Sequence, residues 1–259
     1  MFKFIKICDQ TEKNKEEKGL ATDLIEAIKK AFELIFSLNP EVLNITFLSL
    51  RVSLTAVIYA SILGIPIGII VGSHTFHGKR LSLVLINTGM SFPPVVMGLL
   101  IFVLFSRTGP IGQLGFDILL TDTVMILAQL LLAIPIIVGL TSSAVSNIDE
   151  NIRETALTLG ANKYQSIWAQ LREVRTEILA AIITAFGAAI SEIGAVQIVG
   201  GNIRYKTRTL TTAIGKNIDA GLWEYALALG IILLMTAFLV NLLLTYIQHS
   251  EMPTFLRGD

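Results

Sequence analysis

Few side chains in this sequence have the chemistry for a site, and they are unevenly placed. Glu192 is the lone carboxylate in a stretch from residue 178 to residue 203 that is otherwise uncharged. An acid at bilayer depth costs about 3 kcal/mol, so it should face the bundle interior, water or a partner. It could hold helices or a dimer together, form part of a gate, or relay protons. A carboxylate repels an anion, which favours structure or gate over direct anion binding. Further on, Gly200-Gly201-Asn202 leads into Arg204, Lys206 and Arg208, which alternate through a hydroxyl-rich stretch containing Thr209. Positive charge and hydroxyl donors there would lower the barrier to an anion approaching a path. The same stretch also reads as a solvated turn with Thr211 or Thr212 capping the next helix. Pro93-Pro94, flanked by Ser91 and Gly98, would bend a helix beside such a path. The candidate path or gate residues are therefore Pro93, Pro94, Glu192, Arg204, Lys206, Arg208 and Thr209.

Other chemistries lack their residues. Gly215-Lys216-Asn217 has neither the upstream glycine nor the hydroxyl of a phosphate-cradling loop, and Gly200-Gly201 is followed by no Gly-Lys. The chain is not expected to bind and hydrolyse ATP itself, to carry a cofactor, or to be an enzyme. His74 and His77 are three apart without a third ligand, and Cys8 is the only cysteine, so no metal site is expected. Twenty basic against twenty acidic residues leave no net field to recruit nucleic acid.

The elements that must position these residues are membrane helices. Hydrophobic residues make up 53% and charged residues 15% of the 259, far below the charge of a soluble domain. Charges are absent from Arg51 to Lys79, Arg80 to Arg107, Asp122 to Asp149 and Glu224 to Glu251; the window from Glu177 to Arg204 holds only Glu192. About 20 helical residues cross a hydrocarbon core of roughly 30 Å, and lipid offers the backbone no other partners. The expectation is an all-α integral membrane protein with five transmembrane helices, at about 52–72, 82–106, 123–145, 178–200 and 225–247, in a membrane domain of residues 44–250. Gly64, Gly68 and Gly72 recur at the spacing that lets helices approach closely, and Pro66 and Pro135 are expected to break helices near mid-membrane. Residues 1–23 read as a disordered lysine-rich arm, 24–43 as an amphipathic interfacial helix ended by Asn39–Pro40, and 251–259 as a tail.

Asn147–Glu177 is the one long polar connection within the membrane domain. It reads as two short helices, the first closed at Gly160 and the second capped by Asn162, with Tyr164, Ile167, Trp168 and Leu171 on one stripe. Such a stripe must be buried on lipid headgroups or on a soluble partner. Basic-residue counts do not choose an orientation: an outside N-terminus puts thirteen of the twenty outside, and without the five lysines of the arm the two sides are eight against seven.

Glu154-Thr-Ala-Leu-Thr-Leu-Gly160-Ala resembles the Glu-Ala-Ala loop of binding-protein-dependent ABC importer permeases. Pro40–Leu54, Phe92–Gly98, Ala188–Ile214 and Ala226–Leu244 resemble the tungstate-importer permeases, with molybdate permeases more distant. The likeness covers residues 24–247. It departs at Thr155, where alanine is usual, and at Gln170-Leu171-Arg172-Glu173, where an Ile-x-Leu-Pro ending is usual. The resemblance implies a type I ABC importer permease fold with a cytoplasmic coupling helix. Glu154, Thr155, Ala156, Gly160, Ala161, Tyr164 and Trp168 would meet an ATPase dimer that holds ATP and magnesium. It further implies a homodimer in the plasma (inner) membrane, an external oxyanion-binding protein, an outside N-terminus and a cytoplasmic C-terminus. Molybdate or sulfate import, and proton-coupled transport through Glu192, are the alternatives.

Overall fold

The computed structural model describes residues 25–250 other than 27, 31, 35, 38, 149–157, 159, 161, 163, 164 and 166–170. The described residues form helices and turns and no strand. Helix α1 (Pro40–Ser73) begins well before residue 52. Asn39 Oδ1 accepts from the amides of Glu41 (3.0 Å) and Val42 (3.4 Å), and Pro40 takes the first helical position, where no donor is needed. The Asn39–Pro40 pair thus starts a helix as well as ending the segment before it. At 34 residues α1 is about 51 Å long, so its first turns stand beyond the hydrocarbon. The preceding helical residues are not purely interfacial. Ile25, Phe32 and Phe36 are exposed, but Leu34 is buried in a cluster with Val42, Ile45, Leu210 and Leu229.

Three helices are long and apolar enough to cross a membrane alone: α1, α4 (Asp122–Ser146) and α8 (Trp223–Ser250). Two expected spans, 82–106 and 178–200, are bent pairs; the first bends at Pro93-Pro94 as expected, and the bend in the second was not expected. Helices α2 (Lys79–Met90) and α3 (Pro94–Phe105) meet at 95°, and α5 (Arg175–Ile190) and α6 (Gly194–Gly200) at 55°. Counting each pair once makes five crossings. Pro66 and Pro135 do not break their helices: α1 and α4 run through them. A single proline removes one main-chain bond, whereas Pro93-Pro94 removes two donors in succession and sets the preceding residue extended.

Helix α4 is the hub, packed against α1 and against both bent pairs. Its closest contact is with the glycine ridge of α1. A Cβ on Gly68 would lie 2.7 Å from Thr141 Cβ, and one on Gly72 would lie 2.8 Å from Ser142 O. The ridge therefore gives α1 and α4 an approach that side chains would forbid. Val52, Val124, Met125, Val196 and Val199 form a core layer nearer residue 40, while Ile137, Phe186 and Ile190 fill one deeper along α4.

The bundle has two poles. At one, Ser146 Oγ donates to Gly72 O (3.3 Å) and Gln248 Nε2 to Thr176 O (3.0 Å), gathering the ends of α1, α4 and α8 beside the 147–174 connection. At the other, the Leu120 amide donates to Val199 O (3.0 Å) and Arg51 pairs with Asp122 (3.0 Å). A short helix, α7 (Leu210–Asp219), caps this second pole.

Candidate functional site

Both bends lie side by side. A Cβ on Gly98 would fall 2.7 Å from Ala195 Cα, and one on Gly194 would fall 2.7 Å from Val95 Cγ2. The half-helices α3 and α6 thus pack backbone to backbone from their first turns. Pro93, Pro94 and Glu192, far apart in sequence, flank one level of the bundle. A cleft opens there, lined by Phe92, Pro94, Gln129, Ala188, Ala189 and Glu192 among others.

Glu192 sits in the second bend. Its Oε1 accepts from the Ala195 amide at 2.8 Å, capping the free N-terminal donors of α6. Its carbonyl accepts from Thr211 Oγ1 on α7 at 2.9 Å. Gln129 Nε2, from α4, donates to the Ala189 carbonyl at 2.8 Å, so the last turn of α5 is also tied down. Gln129 is 3% exposed and its Oε1 has no protein partner, which leaves one buried acceptor beside the cleft. Helix α3 starts at this level, bringing the positive end of its peptide dipoles to a place where lipid would offer an anion nothing.

The basic stretch is exposed at Arg204 and Lys206 yet tied in at the second pole by its arginines. Arg204 makes a two-pronged pair with Glu41 (Nε 3.0 Å, Nη2 2.6 Å), and Arg208 reaches the same carboxylate (3.3 Å). The Glu41 hydrogen bond raises the Arg204 pKa above its ordinary value, so the guanidinium stays charged. Arg208 Nε also donates to Asn202 Oδ1 (3.1 Å), and Asn202 Nδ2 donates to Thr212 O (3.1 Å). These bonds hold Asn202 at φ 50°, a region costly for most side chains other than glycine, and Tyr205 nearby has φ 61°. Thr207 and Thr209 are buried; Thr209 caps α7 reciprocally with Thr212, where Thr211 or Thr212 was the expected cap. Lys206 is exposed. Gln129 makes the interhelical hydrogen bond that a lone amide in an apolar span suggests; Glu41, and the reach of Thr211 to the Glu192 carbonyl, are what sequence reasoning missed.

At the opposite pole, Gly160 has φ +82°, and a Cβ there would meet nothing within 4 Å. The glycine is needed for backbone conformation, as in a helix-ending turn. Asn162 and Gln165 exchange bonds, each amide donating to the other's side-chain oxygen (2.8 and 2.9 Å), which is the reciprocal cap of a new helix. Glu154, Thr155, Ala156, Ala161, Tyr164 and Trp168 lie outside the described residues.

Residues 64–251 match the family described as "Binding-protein-dependent transport system inner membrane component". The chain belongs to this family. It is 41% identical over 227 residues to the "Tungstate uptake system permease protein TupB" of Peptoclostridium acidaminophilum, covering 88% of this chain and 99% of that protein. It is 42% identical over 205 residues to a "Probable anion ABC transporter permease protein" of Haloferax volcanii, covering 77% and 88% of the two. A solved bacterial ABC transporter involved in the import of the acidic polysaccharide alginate superposes with a TM-score of 0.71 at 16% identity, over 90% of this chain and 89% of that one. At that identity the likeness is one of fold: an all-helical ABC importer permease. The chain is therefore a membrane transport subunit.

Proposed function

We propose that this chain is the membrane-spanning subunit of an ATP-driven importer that carries an oxyanion, tungstate, from an external binding protein to the cytoplasm. The near full-length likeness to the Peptoclostridium tungstate permease carries this reading. In it, two copies of the chain enclose the path, since five crossings are few to surround an alternating cavity. A cytoplasmic ATPase dimer, holding ATP and magnesium, grips the loop from Glu154 through Gly160 to Trp168. The pole of Arg204, Lys206 and Arg208 then faces outward and the C-terminus inward.

The bends suit a gate. Glu192 is occupied in capping α6, and the start of α3 offers a passing dianion partial positive charge without a fixed cation that would retain it. Closure of the ATPase on ATP would move the two loops, and each α5, joined to its loop at Arg175, would carry its bend with it.

Uptake of labelled tungstate by cells holding the chain with its ATPase and binding protein tests the cargo. Unlabelled tungstate should compete at far lower concentration than molybdate or sulfate. Equal competition by sulfate would make this a sulfate permease instead.

A further inference from the structure

At the second pole a second cavity, of about 290 Å³, opens between the start of α1, α7 and the start of α8. It shares no lining residue with the cleft at the bends. Its polar wall is Glu41, Arg204, Arg208, Lys216, Asn217 and Tyr225; its floor is apolar, with Ile45, Ala213 and Leu229. Three cations face one carboxylate there, and Arg204 already satisfies that carboxylate in a two-pronged pair. The wall therefore carries two positive charges in excess.

The donors are not used up. Among the described residues, neither the Lys216 ammonium nor the Tyr225 hydroxyl makes a hydrogen bond, although both line the cavity. The Arg208 side chain is only 11% exposed and is held in place by Asn202 and Glu41. A largely buried guanidinium beside a solvent-exposed ammonium and a half-buried phenol, neither bonded to protein, suits a small, multiply charged acceptor entering from the open side. The surroundings place the cavity at a water–lipid boundary. Leu222 and Trp223 beside it are exposed, and α8 continues from there with exposed Leu227, Leu234 and Phe238.

We infer that this cavity is a tetrahedral-oxyanion site, in which Lys216, Tyr225 and Arg208 donate to the oxygens of one phosphate- or sulfate-like group. The group comes either from a phospholipid whose chains lie along α8 or from a free dianion outside the membrane. The two excess charges match a free dianion, also accommodate the single charge of a lipid phosphodiester, and leave Glu41 paired. The site stands on the cavity and its donors alone, so it does not depend on the cargo of the importer.

The test uses the full chain in nanodiscs of phosphatidylcholine alone, titrated calorimetrically with sodium sulfate, and in nanodiscs with phosphatidylglycerol admixed, followed by native mass spectrometry of the retained lipid. The variants are Lys216→Gln, Tyr225→Phe and Lys216→Arg, each required to match the parent's thermal midpoint in phosphatidylcholine. Saturable sulfate binding that weakens roughly tenfold in Lys216→Gln and Tyr225→Phe, and less in Lys216→Arg, establishes a free-anion site. No sulfate binding, but one phosphatidylglycerol retained by the parent and lost from Lys216→Gln, establishes a lipid site. Neither species bound, or either bound equally by the parent and Lys216→Gln, overturns the inference. If Lys216→Gln fails the midpoint requirement, Tyr225→Phe carries the same comparison.

Discussion

Thr211, on the short helix α7, donates its hydroxyl hydrogen to the main-chain carbonyl of Glu192 at 2.9 Å. That single bond ties the pole holding Arg204 and Arg208 to the bend between α5 and α6. The carbonyl is one that the bend itself removes from the helical ladder, so without Thr211 it would need water or another donor. A contact made at the pole of Arg204 and Arg208 and a change in the bend are thereby mechanically linked.

Thr211→Val removes the donor at nearly constant volume and should cost about 1 kcal/mol at the bend. Tungstate uptake should fall several-fold with the amount of inserted protein unchanged, and Thr211→Ser should restore most of it. Quantitative uptake normalised to membrane-inserted protein is the measurement. Full activity in Thr211→Val would mean that the bend is held without this bond.

Glu192 separates three roles by substitution. Glutamine keeps an oxygen that can accept from the Ala195 amide but cannot carry a proton back and forth; leucine keeps neither property. With the carboxylate acting as a helix cap within a gate, Glu192→Gln should retain uptake within a few-fold and Glu192→Leu should lose it. A glutamine variant as dead as the leucine variant would point to the proton relay.

The α1–α4 contact predicts its own asymmetry. Gly68→Val places atoms inside van der Waals contact with Thr141 and the Val138 carbonyl, and overpacking of this kind costs about 1–3 kcal/mol or more. Gly230→Ala on α8 meets nothing within 4 Å and should be neutral or slightly stabilising. Thermal midpoints in detergent distinguish the two, and equal loss in both would remove the ridge from the account.

Orientation is open to a direct check because Cys8 is the only native thiol. In a Cys8→Ser background, a cysteine at Lys206 should react with a membrane-impermeant maleimide added to intact cells. One at Gln165 should react only after the membrane is opened. The reverse pattern would place the 147–174 connection outside and exclude contact with a cytosolic ATPase.

The spans were legible because lipid admits no charge without compensation, so the charge-free windows delimit α4 and α8 closely and mark the end of α1, whose start lies upstream of Arg51 at Pro40. The bend at Pro93-Pro94 was legible for the same kind of reason, since consecutive prolines remove consecutive donors. The bend at Glu192 was not: no proline marks it, and the signal was a polar pair, Ser191-Glu192, followed by Gly194 inside an apolar window. Pro66 and Pro135 misled because one missing donor bends a buried helix without ending it. Least visible was Glu41, whose partners Arg204 and Arg208 lie over 160 residues away. From sequence alone nothing singled out its carboxylate, and the basic stretch read equally as the approach to a path or as a solvated turn. Pairings of that range follow from the fold and leave no local periodicity to read.

The central claim is that nucleotide hydrolysis by a partner drives oxyanion movement through this chain by way of the loop around Gly160. The most direct measurement is tungstate accumulation in proteoliposomes containing the chain, its ATPase and its binding protein, with and without internal ATP, for the parent and for Gly160→Asp. The account predicts ATP-dependent accumulation by the parent and none by Gly160→Asp, although the variant still inserts. Accumulation without ATP under an imposed proton gradient, or unchanged accumulation by Gly160→Asp, would contradict it.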